Sequence, residues 1–185
     1  MNVLIFNGAL EKRNTGTSKT ISNYFHNRLT DAGAVVTEFN LADAGIPFFD
    51  LSLVNIPQSV KIMTGIFTKA DAHIWLTPLY HGGMTGIMKN CLDWLEISSK
   101  ANPPYLTNKT VGLVCWASGG HAMQGINAMD AVAKSLRAWT LPYTIPVVRN
   151  DLFHTDGNLH PLYKEKFNLM SRLLLESSHS ISARP

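Results

Sequence analysis

Five short apolar runs recur along the chain: NVLIF (2–6), AVVTEF (34–39), AHIWLT (72–77), TVGLVCW (110–116) and YTIPVVR (143–149). They are β-branched and mostly apolar throughout, without clean alternation, which is the pattern of strands covered on both faces. Between them the apolar positions recur at helical spacing. A first helix is predicted from about Thr17 to Ala32, with Gly33 as its C-cap, and a second over QSVKIMTGIFTKA after Pro57. A third starts near Thr85 and ends near Ser99, before the turn-prone NPP; a fourth, long and amphipathic, runs from about Met123 to Trp139. A last helix follows Pro161. Strands alternating with helices predict βαβ units and an α/β fold. The count predicts a three-layer, doubly wound, five-stranded parallel sheet in the order 2-1-3-4-5, rather than a six-stranded one. No repeat or linker divides residues 1–185, so a single domain is expected. Residues 41–57, LADAGIPFFDLSLVNIP, form a long irregular connection, read as a packed or partner-facing loop.

Composition narrows the class. Of 185 residues, 45% are apolar and 16% charged, as in a globular domain with a sizeable core. The net charge of +3 suits a phosphorylated small ligand and is too weak to argue for nucleic acid. Met1 leads straight into NVLIF with no basic leader, and no apolar run reaches about eighteen residues, so no membrane association and a cytoplasmic location are expected. Cys91 and Cys115 lie inside apolar segments and read as buried reduced thiols.

In an open parallel sheet, ligands bind outside the carboxyl ends of the strands, so the loops there carry the candidate chemistry. The first, NGALEKRNTGTSKT, fits neither GxxxxGK[ST] nor GxGxxG. It places Gly16, Thr17 and Ser18 at a helix start, where unpaired amides and two hydroxyls suit an anion, with Arg13 and Lys19 adding charge. Thr17 or Ser18 as a simple helix cap is the other reading. The second loop, in LTPLYHGGMTGIMKNCLDWL (76–95), gathers Pro78, Tyr80, His81 and glycines at 82, 83 and 86. Bare backbone there lets a flat ligand lie close, although Tyr80 and His81 also suit ordinary loop packing. Trp94 and Leu95 suit either the core or a dimer interface. The third, ASGGHAMQG (117–125), has more glycine than a turn needs, for a ligand or for a packed element.

The segment TPLYHGGMTGIMKNCLDWL resembles the TPxYxGxxxGxxKNxLDW stretch of the NAD(P)H-dependent FMN reductases, a family of flavodoxin-like fold. Pro78, Tyr80, Gly82, Gly86, Lys89, Asn90, Asp93 and Trp94 all fall in register. The ASGGHAMQG loop is similar to that family's glycine-rich loop after strand four. The first loop departs from the family's Gly-Ser-x-Arg pattern: Gly8 is followed by Ala9, Leu10 and Glu11, and Gly16-Thr17-Ser18 takes the place of Gly-Asn-Thr.

The resemblance implies FMN as cofactor, with NADPH or NADH as co-substrate. It implies hydride transfer from the nicotinamide to FMN N5, then electron transfer to a flavin, quinone or similar small acceptor. The cofactor-binding residues it implies are Gly8, Arg13, Gly16, Thr17 and Ser18 at the phosphate, Pro78, Leu79, Tyr80, His81, Gly82 and Gly83 along the ring, and Ser118, Gly119 and Gly120 at its pyrimidine side. FMN carries the chemistry, so no catalytic side chain and no metal is expected. The resemblance also implies a homodimer or tetramer; Phe48, Phe49, Trp94, Leu95 and Ile97 are the sequence's candidates for that surface. A flavodoxin-like electron carrier, or a binding module that kept the fold, are the alternative functions.

Overall fold

The computed structural model describes residues 1–11 and 16–182. Six strands form one parallel sheet: β1 (Asn2–Asn7), β2 (Val35–Asn40), β3 (Ala72–Pro78), β4 (Thr110–Ala117), β5 (Trp139–Thr140) and β6 (Ile145–Val148). The order is β2-β1-β3-β4-β5, with β6 pairing β4 on the same side as β5. The helices are α1 (Thr17–Asp31), α2 (Gln58–Lys69), α3 (Gly86–Asp93), α4 (Ala122–Ser135) and α5 (Pro161–Ser182). This is the flavodoxin-like α/β arrangement that the apolar runs predict.

Each central strand buries both faces. Leu4, Phe6, Trp75, Val111, Leu113 and Cys115 pack with α2, α3 and α4. Val3, Ile5, Ile74, Leu76, Val114 and Trp116 pack with α1 and α5. Period-two side chains thus feed two cores, which is why the runs read as continuously apolar.

The fifth strand position departs from expectation. It is filled in two pieces, β5 and β6, with Pro142 in the segment between them. Leu141 N–H still donates to Val111 O at 2.9 Å, and pairing resumes at Val114↔Ile145. Pro146 is tolerated because β6 is an edge strand. The fourth helix also stops short of Trp139, at Ser135. Arg137 takes a left-handed φ of 64°, and Trp139 N–H then donates to Lys109 O at 2.8 Å, so strand pairing outcompetes another helical turn.

After α3 a 3-10 turn, Trp94–Ser98, continues the chain. Trp94 and Leu95 are fully buried in the monomer, so they do not mark an association surface. Their motif does hold the long loop. Asn90 Nδ2 and Trp94 Nε1 both donate to Pro47 O, at 2.8 and 2.9 Å, and Asn90 Oδ1 accepts from Phe49 N at 2.8 Å. The Phe49 ring meets Trp94 edge-on at 5.3 Å. So pinned, the loop leaves Phe48 and Val54 91% and 96% exposed. No helix among the described residues is long and apolar enough to cross a membrane.

Candidate functional site

Three loops meet at the carboxyl edge of β1, β3 and β4 and enclose a cleft of about 680 Å³. Ala9, Leu10 and Glu11 line it from the first loop, Pro78, Leu79 and Tyr80 from the second, and Trp116, Ala117 and Ser118 from the end of β4. Thr85, Gly86 and Ile87 at the start of α3, and Arg149 just after β6, complete it.

The loops are tied to one another through backbone groups. Thr85 is the N-cap of α3, and its hydroxyl accepts from Met88 N at 3.2 Å. The same hydroxyl donates to Gly8 O at 2.8 Å, which joins the second loop to the first. Gly8 N–H donates to Leu76 O, and Leu79 N–H to Trp116 O, both at 2.7 Å. Ala9 N–H is held by Asn7 Oδ1 at 3.1 Å. The cleft walls therefore rest on fixed hydrogen bonds and not on mobile side chains, which suits a preorganised site.

Tyr80 and Gly83 exchange two backbone hydrogen bonds of 3.0 Å around His81 and Gly82, whose φ angles are 47° and 82°. Two positive φ values at the centre of a two-residue turn mark type I′ geometry, so Gly82 is demanded by the turn itself. The turn stands at the rim with Tyr80 62% exposed. Its Tyr80 end lines the cleft, while His81, Gly82 and Gly83 are not among the lining residues.

The other sequence-predicted residues divide clearly. Gly8 and Gly125 serve packing: an added Cβ would meet Met88 Sδ at 2.7 Å in one case and Cys115 Sγ at 2.5 Å in the other. Gly119 and Gly120 follow Ser118, are exposed and are not among the lining residues, and a Cβ at either would meet nothing within 4 Å. The fold does not require glycine at these two positions. Gly16 is the N-cap of α1 and offers no side-chain cap. Thr17 and Ser18 are therefore the first residues of the helix and not its caps, and both are buried. Lys19 pairs with Glu38 at 3.5 Å. Arg13 lies outside the described residues.

Sequence reasoning missed Arg149 and Trp116 as cleft residues. Both follow from the rule that strand ends carry the site: Arg149 is the first residue after β6, and Trp116 is next to last in β4. Burial pushes the Cys91 and Cys115 thiols up to about 12, so neither is a thiolate near neutral pH. Among the described residues no group of three or more His, Cys, Asp or Glu is placed to hold a metal ion.

The cleft suits a flat, mostly apolar ligand: apolar side chains line most of its walls, and Glu11, whose carboxyl group lies beside Gly16, and Arg149 add charge, while Gly16, Thr17 and Ser18 are not themselves among the lining residues. Comparison with known proteins points the same way. The NADPH-dependent FMN reductase ArsH of Rhizobium meliloti (strain 1021) is 26% identical over 175 residues, which cover 93% of this chain and 70% of that protein. The FMN-dependent NADPH-azoreductase of Staphylococcus aureus is 28% identical over 143 residues, 75% of this chain and 73% of the relative. Among solved structures, the NAD(P)H:(acceptor) oxidoreductase FerB from Paracoccus denitrificans superposes with a TM-score of 0.72 at 16% identity, covering 98% of this chain and 97% of that one. The family model for NADPH-dependent FMN reductase matches residues 1–151, and the chain belongs to that family.

Proposed function

We propose that residues 1–185 form a single-domain, cytoplasmic NAD(P)H oxidoreductase that uses FMN and delivers electrons to a flavin, quinone, azo compound or similar small acceptor. The observation that carries this reading is the cleft itself: three hydrogen-bonded backbone loops meet at the strand ends around about 680 Å³ of space. FMN, when bound, supplies the hydride and electron chemistry.

The chain's own residues bind and orient. Pro78, Leu79 and Tyr80 would support one side of the ring, with His81, Gly82 and Gly83 closing the rim. Trp116 and Ala117 would shield a second side from water. Ser118 and the backbone of Gly119 and Gly120, just before α4, would face the polar edge of the ring. Amides at this helix start favour negative charge, by roughly 0.3–2 kcal/mol. Gly16, Thr17 and Ser18 would receive the phosphate, with Arg13 nearby in the chain. Arg149 adds a permanent cation on the cleft wall, suited to an anionic group of cofactor or co-substrate. Open glycines at 119 and 120 leave room for close approach.

The exposed apolar side chains Phe48, Leu51, Leu53 and Val54 on one pinned loop support the reading of a homodimer. This assignment replaces Trp94 and Leu95 as the basis for association.

Purified protein titrated with FMN, then with NADPH or NADH without oxygen, tests the activity. The expected result is saturable binding followed by bleaching near the flavin maximum. Bound flavin that neither nucleotide bleaches would leave an electron carrier instead.

A further inference from the structure

Glu11 stands where the proposed site wants a ligand. A Cβ built on Gly16 would fall on its carboxyl group, 2.7 Å from Oε1 and closer still to Cδ and Oε2. The carboxylate thus lies against the N-cap of α1, the end of the helix whose first amides have no carbonyl before them. Nothing in the first turn supplies a counter-charge: it has no acidic residue, and Gly16 makes no side-chain cap. Glu11 also lines the cleft, so the carboxylate is reached from the ligand's side. Thr17 and Ser18, by contrast, are only 4% and 1% exposed.

We propose that Glu11 is a built-in occupant of the phosphate seat, so that FMN loads only by displacing this carboxylate, and that Glu11 thereby sets how strongly the site prefers FMN to its dephosphorylated form. This rests on the flavin reading above. A carboxylate and a phosphate both carry negative charge and oxygen acceptors, so both are drawn to the same helix start. They cannot share it without like-charge repulsion in a partly desolvated place. A phosphate-bearing ligand meets that opposition; riboflavin, with the same ring and no phosphate, does not. FMN in this protein is then an exchangeable partner whose affinity a single side chain holds down.

Titrating FMN and riboflavin by flavin fluorescence against wild type, Glu11→Gln and Glu11→Ala tests it, with circular dichroism to confirm folding. The expected result is FMN binding about tenfold tighter in each variant, with riboflavin unchanged within about twofold. The difference between wild type and variant for FMN should shrink as salt is raised. FMN binding equal to or weaker than wild type in the folded variants would overturn the proposal while the flavin reading stands, because both flavins still bind. Equal tightening of both flavins would also overturn it, since the effect would then lie at the ring. Loss of folding in both variants would show the carboxylate to be a fixed part of the fold and not a displaceable occupant; if one unfolds, the other decides. Binding of neither flavin to any of the three proteins would remove the flavin reading, and the proposal with it.

Discussion

Thr85→Val removes the hydroxyl that ties the first two loops of the cleft while keeping the side chain's bulk. In the structure that hydroxyl does two things: it accepts from Met88 N at 3.2 Å as the cap of α3, and it donates to Gly8 O at 2.8 Å. Thr85 is buried, so water does not replace it freely. Loss of the cap costs about 1 kcal/mol. Leaving the Gly8 carbonyl without this donor costs about 1–3 kcal/mol more. The sum, about 2–4 kcal/mol, corresponds to a melting temperature lower by roughly 4–16 °C for a chain of this size. The first loop should also drift from the second, so flavin affinity should fall in the variant even well below its melting temperature. Urea unfolding with the linear extrapolation gives the stability, and flavin fluorescence gives the affinity. Thr85→Ser keeps the hydroxyl and should recover most of both. A Thr85→Val protein within about 0.5 kcal/mol of wild type, with unchanged flavin binding, would refute the idea that this hydroxyl holds the cleft together.

Gly119→Ala should leave stability unchanged, because its Cβ meets nothing within 4 Å, yet lower flavin occupancy; circular dichroism paired with flavin content checks both. His73 is fully buried, and burial together with the Lys109 charge lowers its pKa to about 3, against a weaker opposing effect of the Phe67 backbone. The unfolded chain takes up this proton below pH 6.5 and the folded one does not until about pH 3, so stability should fall by about 1.4 kcal/mol per pH unit across that window. His73→Leu should show a shallower acid slope by urea titration. Asn90→Ala should cost about 1–3 kcal/mol, since it removes one donor and one acceptor from the Pro47–Phe49 backbone, and should speed proteolysis within residues 41–57. Phe48→Asp should convert the proposed dimer to a 20.4 kDa species by light scattering without loss of fold.

Much of the fold was legible because its signals are local. Val3 and Ile5 pack toward α1 and α5 while Leu4 and Phe6 pack toward α2. NVLIF could therefore only read as a strand buried on both sides. The end of the fourth helix was not legible. Leu136 and Ala138 continue an apolar pattern, and only the pairing of Trp139 with Lys109, thirty residues away, turns the chain out of the helix. Tertiary pairing of that kind leaves no mark on local periodicity. In the site, the strand-end rule located the three loops but not the work of each residue. Gly8 was read as a cofactor residue from its place in the first loop, and only coordinates show that it also makes room for Met88. Asn90 and Trp94 fell in register with the family's motif, but the sequence did not show that they clamp the long loop through Pro47. Glu11 was visible only as a departure from a familiar loop; its place against Gly16 needed coordinates, because four residues separate the two in sequence.

A crystal structure of the protein grown with FMN tests the central claim most directly. The flavin ring should lie in the cleft, against the backbone of Pro78–Tyr80 on one side and Trp116–Ser118 on the other, with the phosphate at Gly16–Ser18 and Glu11 swung clear. Density for the ring elsewhere, as in the smaller groove between α3 and α4 lined by Leu92, Val132 and Leu136, or a ring in the cleft with its phosphate directed away from α1, would contradict it.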